Sequence, residues 1–307
     1  PYTHYELKLP NDKTQFLLSG NYILEIYDEK DIIVFSRKFL IYEDKVNIGA
    51  AVYRSRDVSF YNTHQSVQFY ISPESGEFFR DPENLVKTVI LQNEQWNTAI
   101  TGIKPQYFKG NQLEYRYDEY TRFEGGNEYL FFDTKDIRIT GSNVGSVELN
   151  RLYETYLNTN FLRRGYPYSF NSDINGDFFI RTIEGMEDEA IEADYSWVHF
   201  SLSAPKFLED QEVYIYGKFN NYELSDENKM YYNPGLEIYE GVMLLKQGIY
   251  NYKYVAKNSE QLLSNALSDS HALTENRYLI LVYYSEFGAR HDALIGFGET
   301  SSFEVLD

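Results

Sequence analysis

The chain has 307 residues, no cysteine, and a formal net charge of -19 from 28 basic and 47 acidic side chains. The length gives room for two to three domains, and the charge argues against a nucleic-acid partner, since phosphate binding needs a basic stripe. Without cysteine, disulfides, thiolate chemistry and cysteine-ligated zinc are excluded. Aromatic residues make up 17% of the chain, which favours strands over helices.

A glycine followed by a tyrosine two or three residues later opens an alternating apolar run at 20–24, 126–130 and 248–252. In immunoglobulin-like sandwiches, a tyrosine near the start of strand F bonds back to the backbone of the preceding corner. The phrase therefore predicts an all-β fold of serial immunoglobulin-like sandwiches, with Tyr22 and Tyr250 in that role. Because strand F is late in such a domain, we expect the first sandwich to be truncated at its N-terminus.

The predicted strands divide the chain into three domains. Residues 1–43 predict the last two strands of a first immunoglobulin-like domain, at 21–27 and 32–42. Residues 44–194 predict a middle β-sandwich with strands at 67–71, 86–92, 113–117 and 129–132, and a long loop or hairpin at 141–160. Residues 195–307 predict a C-terminal early-set domain, with strands at 198–202, 213–217, 239–244, 250–255 and 278–284.

One segment has partial calcium-loop spacing. Asp173, Asp177 and Glu184 occupy the first, fifth and twelfth positions of an EF-hand count. The sixth position is Phe178 instead of the glycine that the sharp turn needs, and no helices flank it. The favoured interpretation is an Asn-Gly hairpin turn between 168–170 and 178–181, with no metal and no cofactor.

The histidines give no catalytic or metal-binding spacing, and no nucleophile elbow is present. A hydrolase would need His64 or His199 to meet a carboxylate and a hydroxyl nucleophile in a pocket. We therefore expect no enzyme activity. The histidines are His4, His64, His199, His271 and His291.

The segments 213–224 and 248–255 resemble early-set domains attached to glycogen- and starch-acting proteins. Those domains carry an exposed tryptophan after a Phe-Asn-Asn turn, where this chain has Tyr222. The resemblance implies glucan binding as the alternative function, and a plain sandwich turn is the simpler interpretation. A flat row of exposed aromatics would favour the alternative.

A basic and aromatic cluster is unusual in so acidic a chain. Arginine and tyrosine dominate interface hot spots, because they bury a large area and keep hydrogen-bonding ends. The cluster therefore predicts a partner-binding surface, against the alternative of a loop packed on its own domain. Its residues are Phe161, Arg163, Arg164, Tyr166 and Tyr168.

Several phrases together resemble an exported Bacteroidota family that was long known only as a domain of unknown function and includes the plug protein of the type IX secretion system. They are Pro1-Tyr2-Thr3-His4-Tyr5, Asn62-Thr63-His64-Gln65, Val89-Ile90-Leu91-Gln92-Asn93 with Trp96 and Ala99-Ile100, Glu192-Ala193-Asp194-Tyr195, and Leu281-Val282-Tyr283-Tyr284 with Phe287, Gly288 and Arg290.

The resemblance implies a three-domain, periplasmic β protein without catalytic residues. It implies a plug that binds and occludes the periplasmic opening of the SprA outer-membrane translocon barrel. We expect a monomer within a hetero-complex, held at the outer membrane through its protein partner and not inserted in the bilayer.

Overall fold

The computed structural model of the chain describes residues 3–74, 79–185, 188–206, 211–259, 261–286, 288–303 and 305–307. Strands dominate these residues and helix is limited to short turns, so the predicted all-β fold is confirmed. Pro1, Tyr2 and Phe287, which contribute to the family resemblance, lie outside the described residues. No helix within the described ranges has the length and apolar character to span a bilayer.

The chain forms two compact units, one of residues 1–123 with 276–307 and one of residues 124–275. The first unit begins with a hairpin of β1 (Gly20–Tyr27) and β2 (Ile33–Ile41), which confirms the first predicted strand pair. The hydroxyl of Tyr22 donates to the backbone oxygen of Leu18 at 2.7 Å, as the strand F motif predicts.

Seven further strands and one helical turn complete the N-terminal part of the first unit. They are β3 (Val46–Arg54), β4 (His64–Pro73), α1 (Pro82–Leu85), β5 (Val86–Gln92), β6 (Gln95–Thr101), β7 (Tyr107–Lys109), β8 (Gln112–Tyr115) and β9 (Arg122–Glu124).

The described residues of the second unit form eleven strands, a helical turn and a 3-10 turn. They are β10 (Leu130–Asp133), β11 (Val144–Leu149), β12 (Tyr153–Leu157), β13 (Asn160–Phe161), β14 (Phe178–Ile180), α2 (Glu189–Glu192), β15 (Tyr195–Ser203), β16 (Glu212–Tyr216), the 3-10 turn (Lys218–Asn220), β17 (Lys229–Asn233), β18 (Ile238–Lys246), β19 (Gly248–Lys257) and β20 (Leu262–Leu263).

The chain then returns to the first unit with β21 (Arg277–Tyr284) and β22 (Ala293–Ser301). One sheet of this unit has the order β22-β21-β5-β6, and the other has the order β3-β4-β8-β7 with β9 beside β4. A shared core of side chains from both sheets, such as Val67, Phe69, Ile90 and Ile280, makes the unit a β-sandwich.

In the second unit a single sheet forms both layers. Its order is β10-β19-β16-β17-β18-β15-β12-β11, and β17 pairs with β16 on one side and β18 on the other. The core lies between β19, which contributes Tyr250 and Tyr252, and β15, which contributes Val198 and Phe200. The polar stretch at 141–160 contains the antiparallel hairpin of β11 and β12, one of its two expected forms.

These units differ from the three domains that the sequence suggests. Strand β5 pairs along its length with β21, placing Leu91 opposite Leu279, although the predicted boundaries assign them to different domains. Residues 276–307 therefore do not complete a sandwich with 197–275. The difference arises because local patterns locate strands, whereas the partner of a strand is fixed by packing between residues distant in sequence.

Candidate functional site

The basic and aromatic cluster follows a short strand at one side of the second unit. Strand β13 pairs in parallel with β15, placing Phe161 opposite Ser203. The chain then turns sharply, with the amide of Tyr166 donating to the oxygen of Arg163 at 3.3 Å and Gly165 at a φ of +82°. A left-handed φ of this kind favours glycine, which explains the glycine at position 165.

Arg163 and Tyr168 are directed inward, which differs from the expected surface role. The guanidinium of Arg163 donates to the backbone oxygen of Glu128 at 2.6 Å, and the hydroxyl of Tyr168 donates to the Glu128 carboxylate. Backbone contacts add to this anchoring, since the amide of Arg163 donates to Leu267 at 3.1 Å and that of Gly165 to Asp269 at 2.6 Å.

The remaining three cluster residues face solvent. The exposed fraction is 71% for Phe161 and 67% for Tyr166, and Arg164 is also exposed. The five residues therefore form one structure with two parts, in which Arg163 and Tyr168 hold the turn and the other three are available for contact. Such an arrangement can present large side chains at a low ordering cost, because the backbone is already fixed.

The inner part of the site is a carboxyl cluster of Glu128, Asp173 and Glu275. The amide of Glu275 donates to the Glu128 carboxylate at 3.3 Å. Asp173 accepts from the amides of Tyr129 and Asn175, the latter at 2.7 Å, and Glu275 accepts from the Asn175 side chain at 2.8 Å. All three carboxyl groups therefore have hydrogen-bond donors.

Burial controls the charge of this cluster. It raises the pKa of Glu128 to about 7 and that of Asp173 to about 6, because a carboxylate loses hydration there. The Tyr168 hydrogen bond opposes the increase in the pKa of Glu128. Burial also lowers the pKa of Arg163, and it lowers the pKa of Lys253 to about 8. The site thus combines buried acids and buried bases.

The calcium-like segment is a tight turn, as its favoured interpretation predicts. Asn175 has a φ of 56° and Gly176 a φ of 82°, and the amide of Asp177 donates to Ile174 at 3.1 Å. The expected hairpin partner is wrong, however, because β14 pairs with β19 and not with 168–170. Phe178 stacks on Tyr250 on the interior side of β19, with ring centroids 5.4 Å apart.

The carboxylates of this segment have other partners. Asp177 accepts from the Lys218 ammonium at 2.8 Å, and Glu184 pairs with Arg138. Within the part of the chain that the structure describes, no group of three or more histidine or acidic side chains could hold a metal ion.

The two candidate histidines contact different kinds of neighbouring side chain. His199 bonds to Glu154 at 2.7 Å and stacks on Tyr156, with centroids 4.2 Å apart, on the outer face of a sheet. His64 contacts the hydroxyl of Thr63 at 2.8 Å and packs against Phe60. Each is accounted for by contacts with neighbouring side chains.

The position of Tyr222 does not favour glucan stacking. This side chain is only 9% exposed and packs on Tyr216, with its hydroxyl donating to Asn175 at 3.2 Å. The preceding Asn220 is a structural residue, since its side-chain amide donates to the oxygen of Ile215 at 2.9 Å. The Phe-Asn-Asn turn is therefore sandwich structure.

Sequence reasoning missed the role of Glu128 and Glu275. Glu128 lies inside the second Gly-to-Tyr phrase, but its partners are 40 and 147 residues further along the chain. No local spacing brings such residues together, and Glu128 follows the polar Asn127 just before β10, so nothing local distinguishes it.

Comparison with known proteins identifies the class. The family described as "Type 9 secretion system plug protein 1st domain" matches residues 1–43. A crystal structure of a hypothetical protein from Parabacteroides merdae ATCC 43184 is similar over 95% of this chain and 74% of that one, with 34% identity and a TM-score of 0.89. No curated protein matches the chain.

The family match over residues 1–43 and the β-sandwich cores of the two units define a β-sandwich protein related to secretion machinery. The chain belongs to the type 9 secretion system plug family, which confirms the resemblance drawn from its sequence.

Proposed function

We propose that this chain is a non-enzymatic periplasmic plug that binds and occludes the periplasmic opening of the SprA-like outer-membrane translocon barrel of type 9 secretion. Membership of the plug family is the observation that carries the proposal. The acidic surface suits such a role, because a net charge of -19 keeps the free protein soluble and disfavours nucleic acid and anionic membrane surfaces.

Within this function, the contact surface comprises Phe161, Arg164 and Tyr166. Two of these side chains are among the most exposed aromatics of the second unit, and Arg164 lies between them in sequence. Arg163 and Tyr168 fix the turn from inside through Glu128, so binding does not have to order the loop. The protein acts as a monomer that joins a hetero-complex and stays at the outer membrane through this partner.

The test is co-purification of the chain with the outer-membrane barrel from native membranes. We expect the double variant Arg164→Ala and Tyr166→Ala to lose the barrel, since truncating two hot-spot side chains typically costs several kcal/mol in all, roughly a hundredfold or more in affinity. The matched control is Arg116→Ala with Tyr120→Ala, an exposed arginine and tyrosine pair of the first unit, which should co-purify like wild type.

The outcomes separate the surface from the function. A double variant that still co-purifies fully rejects this contact surface and leaves the plug role intact. A wild-type chain that never co-purifies with a barrel but is retained on a glucan column rejects the plug role and favours carbohydrate binding.

A further inference from the structure

The outer face of the sheet formed by β11, β12, β15 and β18 carries a row of exposed aromatic and aliphatic side chains. Along β15 the side chains alternate, so Val198 and Phe200 are buried in the core while Tyr195 and Trp197 are 38% and 39% exposed. On β18, Val242 is also 43% exposed. A contiguous apolar face of this kind on a sheet usually marks an interaction site.

Strand register arranges this face in rows with a defined polarity. Trp197 lies between Leu244 of β18 and Glu154 of β12, and Glu154 lies opposite Glu148 of β11. Leu244 is 43% exposed. One row therefore runs from an aliphatic side chain through an indole to two carboxylates.

The next row also begins with an aliphatic side chain of β18 but ends in polar, uncharged ones. Val242 is paired with His199, which is in turn next to Tyr156, and beyond it lies Ser146 of β11. On this face β18 therefore carries Leu244 and Val242 between Lys246 and Glu240, and the carboxylates of the Trp197 row belong to β12 and β11. Glu148 is exposed, and among the described residues no cationic side chain pairs with it.

We propose that this face, named here the Trp197 face (Tyr156, Tyr195, Trp197, Val242, Leu244, Glu148 and Glu154), binds an amphipathic helix of a partner protein that has an apolar stripe with lysine or arginine along one side. Size and charge support this occupant. Four adjacent strands span about 14 Å between the outer two, which accommodates a helix of about 10–12 Å diameter. A helix packed on a sheet face is one of the stable layer architectures of proteins.

Charge complementarity determines which side of the helix lies over which part of the Trp197 face. The basic side would lie over Glu148 and Glu154, and the apolar stripe over Trp197 and Leu244. A cationic side chain over Trp197 would also gain from the ring quadrupole.

A glucan fits this face less well. The ring of Tyr156 is covered by His199 at 4.2 Å, and that of Tyr195 by the Lys246 ammonium at 5.6 Å, so the aromatics do not form a free flat row. Val242 and Leu244 cannot hydrogen-bond sugar hydroxyls. The Trp197 face lies on the opposite side of strand β15 from the core, and its binding of a basic amphipathic helix does not depend on the proposed plug function.

The experiment uses the full chain with Trp96→Phe, which leaves Trp197 as its one tryptophan and as an emission reporter. The probes are two synthetic helical peptides of about 18 residues with the same leucine stripe, one with lysines along one side and one with glutamates there. We expect the lysine peptide to shift Trp197 emission and to bind at least about tenfold more tightly than the glutamate peptide, with affinity falling as salt is added.

Two variants locate the contacts. Glu148→Lys should reverse the preference between the peptides, and Leu244→Ser should weaken the lysine peptide by about tenfold or more. The matched control is Val58→Ser, a 90% exposed aliphatic residue of the first unit, which should bind like the parent. Equal affinity for the two peptides, no emission shift, or a preference unchanged by Glu148→Lys would overturn the proposal.

Two further outcomes would also reject it. One is self-association of the chain that disappears in the Trp197→Ala variant, which would assign the face to a second copy. The other is quenching of Trp197 by a soluble glucan, which would assign it to carbohydrate.

Discussion

The hydroxyl of Tyr168 donates a hydrogen bond to the carboxylate of Glu128, a side chain that is only 2% exposed. This bond joins the turn that presents Phe161, Arg164 and Tyr166 to the interior of the second unit. It also supplies one of the donors that a buried carboxyl group requires.

Tyr168→Phe should therefore destabilise the second unit by about 1–3 kcal/mol, because the carboxyl group of Glu128 loses one of its hydrogen bonds and keeps the longer one from the Glu275 amide. Urea unfolding followed by Trp197 emission in the Trp96→Phe background measures this unit alone, because Trp96 belongs to the first unit. Tyr166→Phe, at a 67% exposed position, is the control and should change little. Equal effects of the two changes would contradict the anchoring role of Tyr168.

The contribution of Glu128 to the unfolding free energy of the second unit should decrease as pH rises. Its folded-state pKa is about 7, against about 4.3 in an unfolded chain, so folding takes up a proton between these values. The contribution is complete below about pH 4 and is lost as pH rises through about 7. Glu128→Gln stays neutral, so its unfolding free energy relative to wild type should increase from pH 5 to pH 8.

Glu212→Gln is the control of opposite sign. The Lys229 hydrogen bond lowers the pKa of Glu212, so that residue stabilises the folded state above its unfolded pKa and loses this effect in acid. The unfolding free energy of the Glu212→Gln variant relative to wild type should therefore be lowest at high pH. If the Glu128→Gln and wild-type curves run parallel across this range, Glu128 does not titrate with a raised pKa.

Local patterns located several strands and turns, because these depend on neighbouring residues, but they missed β3 and β22. The hydroxyls of Tyr22 and Tyr250 reach back four residues, and the Asn175-Gly176 turn needs only two residues with positive φ. The alternation along 250–255 also predicts a strand, which lies within β19.

Non-local relations could not be obtained in this way. The pairing of Leu91 with Leu279 joins residues that no pattern connects, and it gives units that differ from the predicted domains. The candidate site shows the same limit, since its five residues were found from composition but the inward role of Arg163 depends on Glu128. Chain order alone suggests contiguous domains, and the return of β21 to the first unit overrides it.

The tyrosine hydrogen bonds to the preceding corner should differ in strength with burial. Tyr250 is 2% exposed and its hydroxyl donates to Lys246 at 2.7 Å. Tyr250→Phe should cost about 1–2 kcal/mol in the second unit, and Tyr22→Phe, with the same 2.7 Å geometry but a more exposed bond, about 0.5–1 kcal/mol in the first. Trp197 and Trp96 emission in the two single-tryptophan backgrounds report the two unfolding transitions. A larger loss of stability for Tyr22→Phe than for Tyr250→Phe would show that burial does not determine how much this tyrosine hydrogen bond contributes to stability.

Two glycines that share a φ of +82°, Gly165 and Gly176, allow backbone strain to be separated from close packing. A Cβ at Gly176 would lie 2.7 Å from a ring carbon of Tyr129 and 2.8 Å from the Tyr222 hydroxyl, whereas a Cβ at Gly165 would have no neighbour within 4 Å. Gly165→Ala should therefore cost about 1 kcal/mol through strain alone, and Gly176→Ala about 3 kcal/mol or more. Urea unfolding of the second unit checks both values. If the two variants lose the same stability, the packing of Tyr129 and Tyr222 against the turn does not explain why glycine is needed at 176.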